Sequence, residues 1–339
     1  MRYSLIFWFL LLSSTLLVFF LKNEYFEKSI VEENIEFLIH KNMPFEELVI
    51  QLDSISSDLN PLAKVFFNQF LEKKRLQYWY APGRYLMLRD SSLNDIVNKL
   101  RSRSQDPTKL TFNSMDDISS VFGIMESVLD LDSLAMIHFF DSIQYPLDSL
   151  YLLLIPNTYE LYWDITPQAF FKRMHFEYNN FWTTEKVNSA KKNNLSKHEV
   201  FVLASIVDKE ASHFDEMPII AGLYINRIKR GWPLAADPTI AYIWRKEYNQ
   251  SLRRIRNKHI ETTKKSKFNT YHNTGLPPFP ICVPSIQAID AVLYPKDHDF
   301  LYMCAKPDNS EYHNFAKNHF EHSANAAAFH AWLNKRKIY

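Results

Sequence analysis

The sequence predicts an α+β protein in three parts: an N-terminal transmembrane helix, a small α+β module and a larger α+β domain. Three patterns support this prediction. An uncharged apolar run fills residues 4–21, a strand-like piece followed by an amphipathic helix pattern then occurs three times, and helix patterns dominate the rest. With 339 residues, 47% of them hydrophobic, the chain can build two or three domains with a sizeable core. The formal net charge of +1 does not indicate a nucleic-acid-binding protein.

The apolar run at residues 4–21 is long enough to cross a membrane as a helix. Its length corresponds to about 27 Å, near the thickness of the hydrocarbon layer. Arg2 precedes the run and favours a cytoplasmic N-terminus. A cleaved signal peptide is the alternative, but no small-x-small cleavage site follows. We therefore expect residues 1–21 to be a single-pass anchor in the inner membrane, with residues 22–339 in the periplasm.

The repeated strand–helix pattern predicts the small module. Each helix pattern carries an acidic residue in its first turn, which suits the positive end of the helix dipole. The polar segment 101–107 ends in Pro107 and is typical of a linker. We therefore assign residues 22–106 to the α+β module, which suits binding or spacing, and residues 107–339 to the larger α+β domain. The strand-like pieces lie at residues 36–40, 84–88 and 109–112, and the helix patterns begin at Phe45, Leu93 and Met115.

Glu210 is the strongest candidate for a catalytic residue. Residues 200–211 have the pattern of a mostly buried helix, which Ser196 and Glu199 would begin as a capping box. At 100° per residue, Glu210 lies on the same apolar stripe as Leu203. Burial disfavours the charged form of a carboxyl group and raises its pKa, as a general acid near neutral pH requires. The alternative is a structural ion pair between Glu210 and a basic residue such as Arg227.

Other polar segments each allow two interpretations. Asp237 followed by Pro238 predicts the cap of a short helix at residues 239–244. Residues 245–267 hold nine Lys or Arg against Glu247 and Glu261. This basic segment is either a solvated flap or a lip that steers an anionic polymer towards the site.

The cysteines and histidines do not indicate a metal site. Cys282 and Cys304 have no CxxC spacing, and we expect free thiols, although the periplasm would permit a disulfide. His313, His319 and His322 lack the His pair with intervening Glu of a zinc protease. We expect no metal and no organic cofactor.

The helix that ends near Glu210 resembles the catalytic helix of the endolytic murein transglycosylases, the MltG or YceG-like family. Residues 82–85 resemble the LysM-like region of that family, and residues 155–159 resemble its Phe-Pro-Asp-Thr-Tyr segment. Three positions depart from the family pattern and bear on the groove wall: Asn157, Phe279 and Ser285. Further similar motifs follow in order at residues 203–210, 226–227, 236–240, 269–271, 275–278, 301–302, 313–315 and 321–322.

The resemblance implies cleavage of the β-1,4 bond between N-acetylmuramic acid and N-acetylglucosamine inside peptidoglycan glycan strands, without water. Glu210 would act first as acid and then as base, and the product would be a 1,6-anhydro end. The resemblance also implies a role in ending glycan elongation, with peptidoglycan synthases as partners. Several polar groups could bind the sugar or could equally be structural: Asn226, Asp237, Thr239, Asn269, Tyr271 and Tyr302.

Two other functions stay open on the sequence. A membrane-anchored, non-catalytic scaffold that binds peptidoglycan would explain the anchor and the LysM-like module, but not an inward carboxylate. A zinc amidase or peptidase would use His313, His319 and His322. Metal content and binding to cell-wall sacculi discriminate between these functions and the transglycosylase.

Overall fold

The computed structural model describes residues 7–9, 11–17, 19–20, 28–56, 61–252 and 254–336, with the side chains of residues 61–66 left aside. This part of the chain is α+β, with many helices and small two-stranded sheets, as the sequence predicts. Contacts along the backbone divide it into two compact units. The first unit runs to Leu110 and includes Met125–Asp132 and Tyr159–Thr166, and the second unit holds the rest. The predicted domain boundaries stay predictions.

The predicted membrane anchor lies only partly within the described residues. Those between residues 7 and 20 are helical. Among all described residues, no helix is both long enough and apolar enough to cross a membrane. The transmembrane assignment of residues 1–21 therefore stays a prediction.

The first unit is built on an antiparallel pair of strands with helices packed against it. Strand β1 (Ile35–Ile39) pairs with β2 (Gly83–Met87), so that Ile35 lies opposite Met87. Ser92 caps the last helix of the unit in a capping box with Asp95. The first two predicted strand–helix repeats are confirmed. The helices are α1 (Phe45–Ile55), α2 (Pro61–Lys74), α3 (Leu76–Trp79) and α4 (Leu93–Ser102).

Two further small sheets and eleven named helices follow in the described chain. Strand β3 (Thr108–Phe112) pairs with β4 (Asn157–Leu161), and β5 (Tyr302–Ala305) pairs with β6 (His313–Ala316) in antiparallel register. A 3-10 turn spans Leu147–Ser149. The helices are α5 (Ile118–Val128), α6 (Ser133–Ser142), α7 (Leu150–Leu153), α8 (Pro167–Phe181), α9 (Thr184–Lys192), α10 (Lys197–Glu210), α11 (Met217–Lys229), α12 (Asp237–Tyr248), α13 (Asn257–Thr262), α14 (Ile286–Leu293) and α15 (His319–Lys335).

The core of the second unit surrounds α10. Every residue from 200 to 207 is buried, and α10 packs against α11 and α14. Gly222 on α11 allows the segment after α14 to approach closely, because a Cβ atom there would lie 2.5 Å from the carbonyl oxygen of Lys296. The buried body of α10 therefore fixes the direction in which its last residue points.

Candidate active site

Glu210 is the last residue of α10, and the chain turns to an extended conformation at Ala211. The predicted capping box begins this helix. The Ser196 hydroxyl accepts from the backbone N–H of Glu199 at 3.2 Å, and the Glu199 carboxylate accepts from the backbone N–H of Ser196 at 2.8 Å. The helix therefore starts at a defined residue, and its register places Glu210 at the edge of the core rather than within it.

Glu210 has the altered acidity that the sequence predicts. Burial raises the pKa of its carboxyl group from 4.5 to about 7, although the side chain keeps some exposure at a cavity wall. The Tyr224 hydroxyl donates to Glu210 Oε1 at 2.7 Å and partly offsets this rise, because it stabilises the charged form. The negative charge of Asp237 adds to the rise. Near neutral pH the carboxyl group can therefore both give and take a proton.

Arg227 is not the ion-pair partner that the alternative interpretation requires. Its Nε atom donates to the carbonyl oxygen of Leu301 at 2.7 Å, and Nη1 donates to that of Leu234 at 2.5 Å. Among the residues that the structure describes, none of the ion pairs includes Glu210. Arg227 instead joins two backbone segments through these hydrogen bonds. Its charge does lower the pKa of Glu210, but this is the smallest of the four effects on that pKa.

A cavity of about 520 Å³ opens in front of Glu210. Its wall combines the last turn of α10, the first two turns of α12 and the basic segment that follows. Charged groups of both signs face it, namely Lys209, Glu210, Asp237, Arg245 and Arg254. This size and mixture suit a polar ligand with hydroxyl and amide groups.

The prediction that Asp237 caps a helix is wrong. The N-cap of α12 is Ala236, and Asp237 is the first helical residue. The Asp237 carboxylate instead accepts a hydrogen bond from the Tyr271 hydroxyl at 2.5 Å. Burial raises the pKa of Tyr271, and the hydrogen bond to Asp237 raises it further, so the phenol stays protonated as the donor. The structure thus brings two predicted site residues to Glu210, since Asp237 lines the same cavity and Tyr271 holds it.

Three other predicted site residues are engaged within the fold. Asn226 donates to the carbonyl oxygens of His298 and Phe300 at 2.7 and 3.2 Å. The Thr239 hydroxyl is fully buried and donates to the carbonyl oxygen of Ala236. Asn269, also fully buried, donates to Ile260 and accepts from the backbone N–H of Tyr271. The polar atoms of these three residues already bind other segments of the chain. Contact of these residues with sugar therefore stays a prediction.

Tyr302 lies on β5 and is not among the residues that line the cavity of Glu210. Its ring stacks on His322 with centroids 5.1 Å apart, and the Arg227 guanidinium lies over it at 5.8 Å. Contact between Tyr302 and a sugar therefore stays a prediction. Any such contact would lie outside the cavity of Glu210.

The sequence reasoning did not identify Tyr224. Its side chain is 1% exposed on α11, and a buried tyrosine hydroxyl needs a hydrogen-bond partner. A tyrosine inside an otherwise apolar helix face was the available signal. Asp208, by contrast, is bound on another side of the helix end, because its carboxylate accepts from Ser114 Oγ at 2.6 Å and from the backbone N–H of Ser285 at 3.1 Å.

The predicted alternative of a zinc site depends on His313, His319 and His322. His313 Nδ1 lies 3.0 Å from the buried Glu216 carboxylate. Within the described part of the chain, no three His, Cys, Asp or Glu side chains are grouped as metal ligands. Cys282 and Cys304 are free thiols, as expected.

The sequence of this chain is similar to that of known proteins of one family. The model of the YceG-like family matches residues 37–328. An endolytic murein transglycosylase of Bacillus subtilis is 32% identical over 192 residues, which are 54% of this chain and 51% of that protein. One from Streptococcus pneumoniae is 31% identical over 140 residues, or 41% of this chain and 25% of that protein. The chain therefore spans about half the length of these curated relatives, or less.

A solved structure supports the fold. A crystal structure of a YceG-like protein from Listeria monocytogenes superposes with a TM-score of 0.50 at 22% sequence identity. The similarity covers 86% of this chain and 98% of the Listeria chain. Since the family model covers most of the sequence, from the first strand to the last helix, the chain belongs to the YceG-like family.

Proposed function

We propose that this chain is an endolytic lytic transglycosylase of peptidoglycan. It cuts the β-1,4 bond between N-acetylmuramic acid and N-acetylglucosamine within glycan strands and leaves 1,6-anhydro ends. Family membership and two relatives named endolytic murein transglycosylase support the reaction class. The observation that carries the proposal is Glu210, a carboxyl group with a pKa of about 7 in the wall of a polar cavity.

Glu210 serves as acid and then as base. Its protonated carboxyl group gives a proton to the glycosidic oxygen, the bond from C1 to that oxygen breaks, and N-acetylglucosamine leaves with a free 4-hydroxyl group. The muramoyl C1 passes through an oxocarbenium-like state. The Glu210 carboxylate then takes the proton of the 6-hydroxyl group while O6 attacks C1, so that no water is consumed and Glu210 is protonated again.

Asp237 gives the cavity a second negative charge. Because Tyr271 donates to it, this carboxylate is held in place at the start of α12. A fixed negative charge favours the positive charge that develops on the sugar ring. A hydrolase could also use two carboxylates, but it would leave reducing ends rather than anhydro ends, so product analysis decides between the two reactions.

The predicted anchor and partners complete the proposal. Residues 1–21 would anchor the protein in the inner membrane with the catalytic domain in the periplasm, near nascent strands made by peptidoglycan synthases. The LysM-like module at residues 22–106 would hold the glycan. Arg254 of the basic segment lines the cavity and supports its role as a lip that steers anionic strands rather than as a solvated flap; its neighbour Arg253 lies outside the described residues.

The test is the Glu210→Gln variant of the full chain, incubated with intact sacculi and with nascent strands. Glutamine still accepts the hydrogen bond from Tyr224 but cannot transfer a proton. We expect wild type to release anhydromuropeptides, identified by mass spectrometry, and the variant to lose at least about 100-fold of the rate. Glu311→Gln, at an exposed position between β5 and β6 that lines neither the cavity nor the basic segment, serves as the matched control and should keep the wild-type rate. Wild-type release from Glu210→Gln, or reducing ends in the wild-type digest, would refute the mechanism, and inactive wild type that still sediments with sacculi would favour a scaffold.

A further inference from the structure

A second cavity of about 520 Å³ lies beside the last turn of α10. Asp208 and Ala211 line it, whereas Lys209 and Glu210 line the cavity described above. Residues three apart share one side of a helix, so the two cavities flank the same helix end. The remaining wall comes from residues 111–114, 156–158 and 285–287, with Phe214 and Met217.

We propose that this second cavity is a subsite for uncharged N-acetylated sugar units of the glycan strand, beyond the bond that is cut. The inference rests on the proposed function. Cutting inside a strand requires sugar units on both sides of the broken bond, so the strand continues beyond the cavity of Glu210 in both directions. A strand that crosses the end of α10 would contact both cavities.

The side chains around this cavity are those that bind sugars. The amides of Asn113, Asn157 and Gln287 are exposed there and can both donate and accept hydrogen bonds. The hydroxyls of Thr111 and Thr158 lie 2.9 Å apart in the same wall. These groups come from three separate segments, so only the folded chain brings them together.

Phe214 gives the cavity an apolar face. Its ring is 66% exposed, although it lies between α10 and α11, where both helices are deeply buried. The C–H face of a pyranose ring is apolar and can cover such a ring while its hydroxyls reach the amides. A bound sugar would therefore account for the exposed ring of Phe214 beside several amide side chains.

The charges favour the sugar backbone over the stem peptides. Among the described residues that line this cavity, Asp208 is the only charged one, and its oxygens accept from Ser114 and Ser285. This described lining thus includes no basic side chain that could bind the carboxylates of a stem peptide. The cavity of Glu210, by contrast, includes Lys209, Arg245 and Arg254.

The motif at residues 155–159 acquires a role in this way. Pro156, Asn157 and Thr158 line the second cavity, and Asn157 Oδ1 accepts from the backbone N–H of Thr158 at 2.8 Å. That bond sets the direction of the amide at the start of β4. The segment thus presents side chains to the cavity rather than only connecting two elements.

The experiment measures binding without cleavage. In the full-length Glu210→Gln background, we would measure dissociation constants for peptide-free glycan strands of increasing, defined length by calorimetry. We expect affinity to rise with length until both cavities are filled. Phe214→Ala should weaken binding of the long strands about five- to tenfold, as expected for a lost aromatic contact, and should leave the shortest strands unaffected. Gln287→Ala should act in the same direction.

Phe176→Ala is the matched control, because Phe176 on α8 is 59% exposed and does not line the cavity. Phe176→Ala should leave the dissociation constants of both the short and the long strands unchanged. Equal binding by Phe214→Ala and its parent at every length would overturn the proposal. A loss seen only with strands that carry stem peptides would also overturn it, because the cavity would then bind peptide. If wild type makes no anhydro product but the length-dependent loss is found, the proposed function fails and the subsite stands.

Discussion

Replacing Glu210 by Gln should stabilise this protein, and the gain should depend on pH. Burial raises the pKa of Glu210 from 4.5 to about 7 in the folded chain. Below pH 4.5 the carboxyl group is protonated in both the folded and the unfolded chain, so its ionisation does not reduce the free energy of unfolding. As the pH rises from 4.5 to 7, the unfolded chain releases this proton while the folded chain retains it. Stability is therefore lost across this window and stays low above it.

The size of the loss follows from the two pKa values. Each pKa unit corresponds to 1.36 kcal/mol, so the rise from 4.5 to about 7 gives about 3 kcal/mol as an upper limit. The partial exposure of the side chain at the cavity reduces this value. Glutamine resembles the protonated form and keeps the acceptor for Tyr224. Glu210→Gln should therefore match wild type at pH 4 and exceed its stability by up to about 3 kcal/mol at pH 8.

The assay is thermal unfolding of both proteins from pH 4 to pH 8. For a unit of this size, about 3 kcal/mol corresponds to a difference in Tm of roughly 6 to 12 °C at pH 8. Glu247→Gln, which replaces an exposed carboxylate, should follow wild type across the range. A difference that stays constant with pH, or a variant less stable than wild type at pH 8, would show that Glu210 is not held in its neutral form by the fold.

Three further substitutions give separate expectations. Tyr224→Phe removes the hydroxyl that stabilises the charged form of Glu210, so its pKa rises and the fall in kcat/KM at alkaline pH should move to higher pH. Asp237→Asn removes a charge that raises the same pKa, so that fall should move to lower pH; shifts in the same direction for both variants would contradict the electrostatic account. Gly222→Ala places a Cβ 2.5 Å from the carbonyl oxygen of Lys296. The Tm should therefore drop by at least about 4 °C, which corresponds to a loss of roughly 2 kcal/mol in the free energy of unfolding. A Tm within one degree of wild type would show that the two backbone segments can move apart.

Local patterns were enough to predict α10 and its carboxylate. The capping box of Ser196 and Glu199 and the run of apolar residues act within a few residues of each other, so the sequence alone contains the information. The first two strand–helix repeats could be predicted for the same reason.

The remainder of the site depends on contacts between distant segments. Asp237 precedes a proline at the start of a helix, so the sequence alone favours a cap, and only the fold brings the Tyr271 hydroxyl to its carboxylate. Tyr224 is fourteen residues from Glu210, and their hydrogen bond needs α10 and α11 to be packed. The buried bonds of Asn269 likewise join segments that no periodicity relates.

The burial of α10 limits how proteins built on this fold can diverge. A helix whose residues 200–207 are all enclosed can neither slide nor rotate without creating voids, so the position of Glu210 is set before any ligand binds. Under the proposed function, new preferences for the length or decoration of a glycan strand must then arise in the surrounding loops. In a mutational scan, substitutions should accordingly be tolerated best at the rims of the cavities. Substitutions at residues 200–207 of α10 should be tolerated least.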